Sequence, residues 1–163
     1  MNLNSNSSIA PELMYEVDSL YVSTEMILSG QFRDFPIDGL LLEACLLHFR
    51  VVWDFFYRPK KEGSDVVVGD FIPTWNKGVP PTRLAVIRKW LNVMLAHLTT
   101  RRADPTFKIG EITMADINEI REHTRTMFDA FVKDLPEEGR RALVNPHARK
   151  FAQYQTLKAS CTS

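Results

Sequence analysis

An all-α fold is what this sequence predicts, and three observations carry that expectation. Apolar residues recur at three- and four-residue steps in four separate segments, Gly and Pro gather between those segments, and no stretch alternates as a strand does. Amphipathic helices joined by turns bury their stripes most simply as an antiparallel up-down bundle of four long helices, with one or two short extra helices and crossing angles near about 20°. At 163 residues the chain fits a single domain, 1–163, and buries about 70% of the surface its unfolded form exposes.

The first helix opens at Pro11, whose missing N–H costs nothing in a first turn. Met14, Val17, Tyr21, Thr24 and Leu28 then repeat along one face up to a stop at Gly30. Pro36 and Gly39 mark a turn, Asp38 is placed to cap the second helix, and Arg58-Pro59 ends it. Residues 59–82 hold seven Gly and Pro residues and read as an ordered loop with one helical turn or two, for which "SDVVVGDF", with Ser64 as cap, is the candidate. Thr82 caps the third helix, where Ile87, Leu91, Leu95 and Leu98 form a stripe, flanked by Leu84, Trp90 and Met94, that runs to about Arg102 before Asp104-Pro105. In the fourth helix, Thr113 and Asp116 stand at capping-box spacing ahead of a face made by Ile117, Ile120, Met127, Phe128 and Phe131. Pro136 breaks it, "EEGRRAL" is expected to add a short turn, and the chain from about residue 145 reads as a loose basic tail.

Composition narrows the function classes. The formal net charge is zero, yet every acidic residue lies at or before Glu138, while Arg140, Arg141, Arg149, Lys150 and Lys158 follow. A basic end of this kind suits nucleic acid, an anionic surface or an acidic protein, or is simply solvated. Two cysteines, Cys45 in an apolar helix and Cys161 near the C-terminus, point to a reduced, cytoplasmic setting. The opening "MNLNSNSSIAPE" has neither a basic n-region nor an apolar h-region, so no signal peptide is expected, and no segment supplies the roughly 18 apolar residues of a membrane span. Phosphate-binding Gly-rich loops, nucleophile elbows and Cys/His zinc spacings are absent from the sequence.

The second helix, "LLEACLLHFRVVWDFFY", is apolar almost all round yet carries Glu43, His48, Arg50 and Asp54. At about 100° per residue, Glu43, Arg50 and Asp54 fall within about 40° of one another, and His48 stands about 140° from Glu43. The stripe either pairs along its own helix, with Arg50 bridging Glu43 and Asp54 at a solvent edge, or faces a cleft or a subunit partner. His48 needs a partner from another helix. On the third helix His97 and Arg101 share a face, while Asn92 projects elsewhere. On the fourth, Asp116, Glu119 and His123 approach one face, but the Glu-x-x-His spacing of di-iron bundles is missing and pairing of Glu119 with His123 is the simpler expectation. No metal and no cofactor is expected.

The patterns E-x4-H-x-R-x3-D, from Glu43 to Asp54, and N-x4-H-L-x2-R, from Asn92 to Arg101, resemble a group of bacterial helical proteins whose wider likeness is to the HEPN superfamily. The resemblance spans roughly residues 37 to 102. Many members of that superfamily are metal-independent ribonucleases with a motif arginine and a histidine four to six positions later; others bind nucleotides or act as interaction modules. Here His97 would be the motif histidine, and Asn92 stands where the arginine would be. The resemblance therefore implies a catalytic group of His97, Arg101, Arg50 and His48, with Glu43, Asp54, Asn92 and Arg102 as binding residues, and it implies a homodimer. If active, His97 would be the general acid or base and an arginine would neutralise the phosphate as the ribose 2′-hydroxyl attacks. Phe151 and Tyr154 of the tail would be available to stack on bases. The expected function is a helical module binding a nucleotide, RNA or a protein partner; the alternative is a metal-independent ribonuclease of a bacterial defence or toxin system.

Overall fold

A computed structural model describes residues 10–31, 37–60, 65–76, 78–94 and 112–144. Among these the protein is all-α. Its helices are α1 (Ala10–Ser29), α2 (Ile37–Tyr57), α3 (Thr82–Met94), α4 (Met114–Asp134) and α5 (Glu137–Val144), with one 3₁₀ turn at Val68–Asp70. No helix among the described residues is long and apolar enough to cross a membrane.

Helix α1 covers the predicted range and stops where Gly30 takes a φ of 66°, a conformation that costs a residue with a Cβ. Its core face carries Leu13, Val17, Leu20 and Thr24. Thr24 and Ser23 can be buried there because their hydroxyls donate back to carbonyls one turn earlier, Tyr21 at 2.9 Å and Ser19 at 2.8 Å. Helix α2 begins one residue before Asp38, so that side chain lies in the first turn instead of capping from outside, its Oδ1 accepting from the Gly39 N–H at 2.7 Å. It buries Cys45, Phe49, Val52 and Phe56 against α1 and the rest of the core. The two helices run antiparallel, since Glu16 meets His48 while Ser23 meets Cys45.

The loop after α2 forms a single 3₁₀ turn, at the short end of the one or two helical turns expected, and Ser64 lies outside the described residues. Val66, Val67 and Val68 supply the reason: β-branched side chains lose χ1 freedom in a helix. Asp70 closes the turn by accepting from the Val67 N–H at 3.0 Å and pairs with Lys60. Helix α3 starts at Thr82 and packs Leu84, Ile87 and Leu91 inward; the predicted extension over 95–102 lies outside the described residues. The capping box of α4 forms as read from the sequence, with the Thr113 N–H donating to Asp116 Oδ2 at 2.8 Å and the Asp116 N–H to Thr113 Oγ1 at 3.2 Å. After Pro136 the chain makes two helical turns in α5, longer than the turn expected, and seals Leu143 into the core. The tail from 145 lies outside the described residues.

The centre of the core is aromatic. Phe131 of α4 is fully buried, and the rings of Phe55, Phe56, Phe71, Trp75 and Phe128 lie 5.3 to 6.2 Å from it, mostly edge to face.

Candidate functional site

The ionisable residues of α2 do not act as one stripe. Asp54 pairs across helices: Arg88 of α3 donates from Nε and Nη2 to Oδ1 at 2.9 and 2.7 Å, and from Nη2 to Oδ2 at 2.6 Å. Arg58 stands 4.0 Å from the same carboxylate and 3.2 Å from Asp65. Of the two arrangements the sequence left open, the bridge through Arg50 along the helix is not formed. Arg50 is half-buried, Glu43 is exposed, and neither side chain makes a hydrogen bond or ion pair with another described residue. Seven residues separate them, about 10 Å along the axis, which is too far for a bond within one helix.

His48 finds its partner on α1. Its Nδ1 lies 2.7 Å from Glu16 Oε2, and since a carboxylate can only accept, the proton sits on Nδ1. The ring of Tyr15 meets the imidazole edge to face at 5.8 Å.

Of these residues Glu16, Arg50, Asp54, Arg58 and Asp65 line a groove of about 430 Å³. Leu47, Arg50, Val51 and Asp54, on the side of α2 turned away from the core, contribute one part of it. Glu12, Leu13 and Glu16 of α1 and Asp65 to Val67 of the loop contribute the others. Four carboxylates and two guanidiniums line it, with Arg88 bound to the Asp54 carboxylate. A second groove, of about 620 Å³ between α1 and α4, is crossed by the ion pair of Arg121 with Glu25 at 2.6 Å. Burial pushes the Tyr21 hydroxyl there far above its usual range, so it stays protonated.

Two further polar ties hold α4. Arg83 of α3 grips Asp116 with Nε and Nη2, each at 2.7 Å, and the guanidinium lies 5.2 Å above the Trp90 ring. The Arg83 guanidinium and then the Thr113 N–H hold the Asp116 carboxyl far below the usual carboxylate range. His123 meets the Tyr57 hydroxyl through Nε2 at 3.0 Å, with the two rings stacked, instead of pairing with Glu119 as the sequence suggested. Burial lowers the His123 pKa and raises that of Tyr57, so both are neutral near pH 7. Burial likewise pushes the Cys45 thiol up to about 12, leaving it an unreactive core residue.

Of the sequence-predicted site residues, the structure brings Arg50 and Asp54 into one groove, with His48 joined to it through Glu16. Glu43 stands outside that groove on the exposed side of α2. Asn92 lies on α3, and His97, Arg101 and Arg102 lie outside the described residues. Sequence reasoning missed Glu16 and Arg88. The available signal was Arg88 itself, a charge set among Leu84, Ile87 and Leu91 on a core face, which calls for a carboxylate on a facing helix.

Comparisons of the chain with family models, with curated proteins and with solved structures found no match.

Proposed function

We propose that this chain is a HEPN-like helical module, an antiparallel up-down bundle working in the cytoplasm, that binds a protein partner through the α2 groove and does not cleave RNA. The observation that carries this reading is the commitment of its polar groups. Asp54 is bound to Arg88 and His48 to Glu16, so two of the candidate site residues are spent on holding helices together. The groove carries more carboxylates than guanidiniums along its lining, which lacks the positive excess that binding of RNA or a nucleotide phosphate draws on. What it offers instead is apolar surface from Leu13, Leu47 and Val51 rimmed by charge, the make-up of a protein contact.

One observation favours the alternative of a metal-independent ribonuclease. Arg50 is half-buried over the groove with no ion pair among the described residues, as a phosphate-binding arginine would be before its ligand arrives. Incubation of the protein with mixed RNA in the presence of a chelator separates the two, using wild type, Arg50→Ala and His97→Ala. The binding-module reading expects all three to leave RNA intact. Cleavage by the wild type that both variants lose would replace it with the nuclease.

A further inference from the structure

Helix α2 is apolar on two opposite faces. One face is the core face of Cys45, Phe49, Val52 and Phe56. On the other, Ile37, Leu40, Ala44, Leu47 and Val51 follow one another at steps of three, four, three and four residues, the a/d spacing of a helix seam. The four large ones are 47%, 62%, 48% and 41% exposed, so none of them belongs to the core. An amphipathic helix serving one domain needs only one apolar stripe, and a second stripe at seam spacing is surface left over for another helix.

The charges beside the stripe identify that helix. Glu43 and Arg50 occupy successive g positions of the same heptad frame, one acidic and one basic, and neither is paired among the described residues. Two copies of α2 laid antiparallel about a two-fold axis place Ala44 against Leu47 of the second copy and Leu40 against Val51, each layer occurring twice. In that register Glu43 of each copy falls beside Arg50 of the other. The symmetry thus supplies two identical ion pairs, with a partner for both unpaired groups, whereas parallel pairing would set each g position against an e position of the second copy, Glu43 against His48 and Arg50 against Phe55, and form no Glu43–Arg50 pair. The groove agrees with the same register, since Leu47 and Val51 belong to its lining and would receive Ala44 and Leu40 of the second copy.

From these observations we infer that the outer face of α2 is a self-association surface, which pairs antiparallel with α2 of a second copy of this chain through the Leu40–Val51 seam and reciprocal Glu43–Arg50 ion pairs. The inference rests on the reading that this face contacts protein, and it names the partner. All three substitutions in the test fall on side chains outside the core, so folding is expected to survive; helical circular dichroism checks this for each variant.

Sedimentation equilibrium of the full chain tests the proposal. Wild type should dimerise, and Leu47→Glu, which sets carboxylates in the central layers, should abolish the dimer. Glu43→Arg and Arg50→Glu should each weaken the dimer about tenfold or more, because each replaces two ion pairs by two like-charge contacts. The double variant Glu43→Arg/Arg50→Glu should recover to within about threefold of wild type, since reversing both charges restores both pairs. Double-variant affinity no better than that of the single variants would overturn the register, and a dimer indifferent to Leu47→Glu would overturn the face. A wild type that remains monomeric overturns the proposal outright. If a spin label at Leu47 is then immobilised, the chain covers this face with its own residues; if it is mobile, the face is free. In either monomeric case the RNA experiment above still decides whether the chain is a nuclease or a binding module.

Discussion

Arg88 shows what a single charge does when it sits on a core face. Its side chain keeps 11% of its exposure, Nη1 has no hydrogen-bond partner among the described residues, and the other two nitrogens are spent on Asp54. Taking such a group out of water costs several kcal/mol, which the carboxylate repays only while both partners are present. Arg88→Ala is therefore expected to destabilise the fold by about 3 kcal/mol, the lower end for a broken buried pair, because Asp54 retains some contact with water and has Arg58 nearby. Replacing both partners, Arg88→Leu with Asp54→Leu, should return most of that loss. Chemical denaturation of the two variants decides the matter, and a double variant as unstable as the single one would mean that the pair contributes net stability. This pair was half legible in the sequence: Asp54 stood out as an acid on an apolar helix, but only the fold shows that its cation comes from 34 residues away and not from Arg50, four residues before it.

At the scale of elements, helix periodicity carried most of the information. The ranges of α1 and α2, the start of α3 and the Thr113/Asp116 box of α4 follow from apolar spacing and capping chemistry, which are local and therefore readable. The 65–76 loop was not readable, because its conformation depends on where Phe71 and Trp75 can be buried. Both rings reach Phe131, so one α4 residue anchors the loop and joins it to α2 through Phe55 and Phe56. Phe131→Ala should cost about 3–5 kcal/mol, as for a large aromatic removed from a packed site. The loss should reach beyond α4: amide hydrogen exchange is expected to accelerate across residues 67–75 as well as in α4 itself. Faster exchange confined to α4 would show that the loop holds its place without the anchor. The α2 groove was obscure for the same reason, since its surface comes from three segments that only the tertiary fold places side by side.

Across the whole molecule the long helices are joined by polar ties in a closed circuit. His48–Glu16 links α1 to α2, Arg88–Asp54 links α2 to α3, Arg83–Asp116 links α3 to α4, and Arg121–Glu25 returns from α4 to α1, with Tyr57–His123 crossing between α2 and α4. Two of these ties should respond to acid at different points. His123 has its pKa lowered by burial, so below about pH 6.5 the unfolded chain binds a proton that the folded chain resists, and stability falls as pH drops through that range. Asp116 has its pKa lowered by Arg83 and the Thr113 N–H. Its contribution is complete above the usual carboxylate range near 3.9 and is lost only as pH falls from there toward the far lower folded value. Unfolding free energy measured against pH should consequently show an early decline that His123→Gln removes and a later one that Asp116→Asn removes. At pH 7, Asp116→Asn should already cost about 1 kcal/mol for the weakened cap, a deficit that shrinks in strong acid as the wild-type carboxyl protonates. If His123→Gln leaves the decline between pH 6.5 and 5 unchanged, then the imidazole between Trp53 and Tyr57 accepts its proton without disturbing the fold, and the acid sensitivity of the molecule must arise elsewhere.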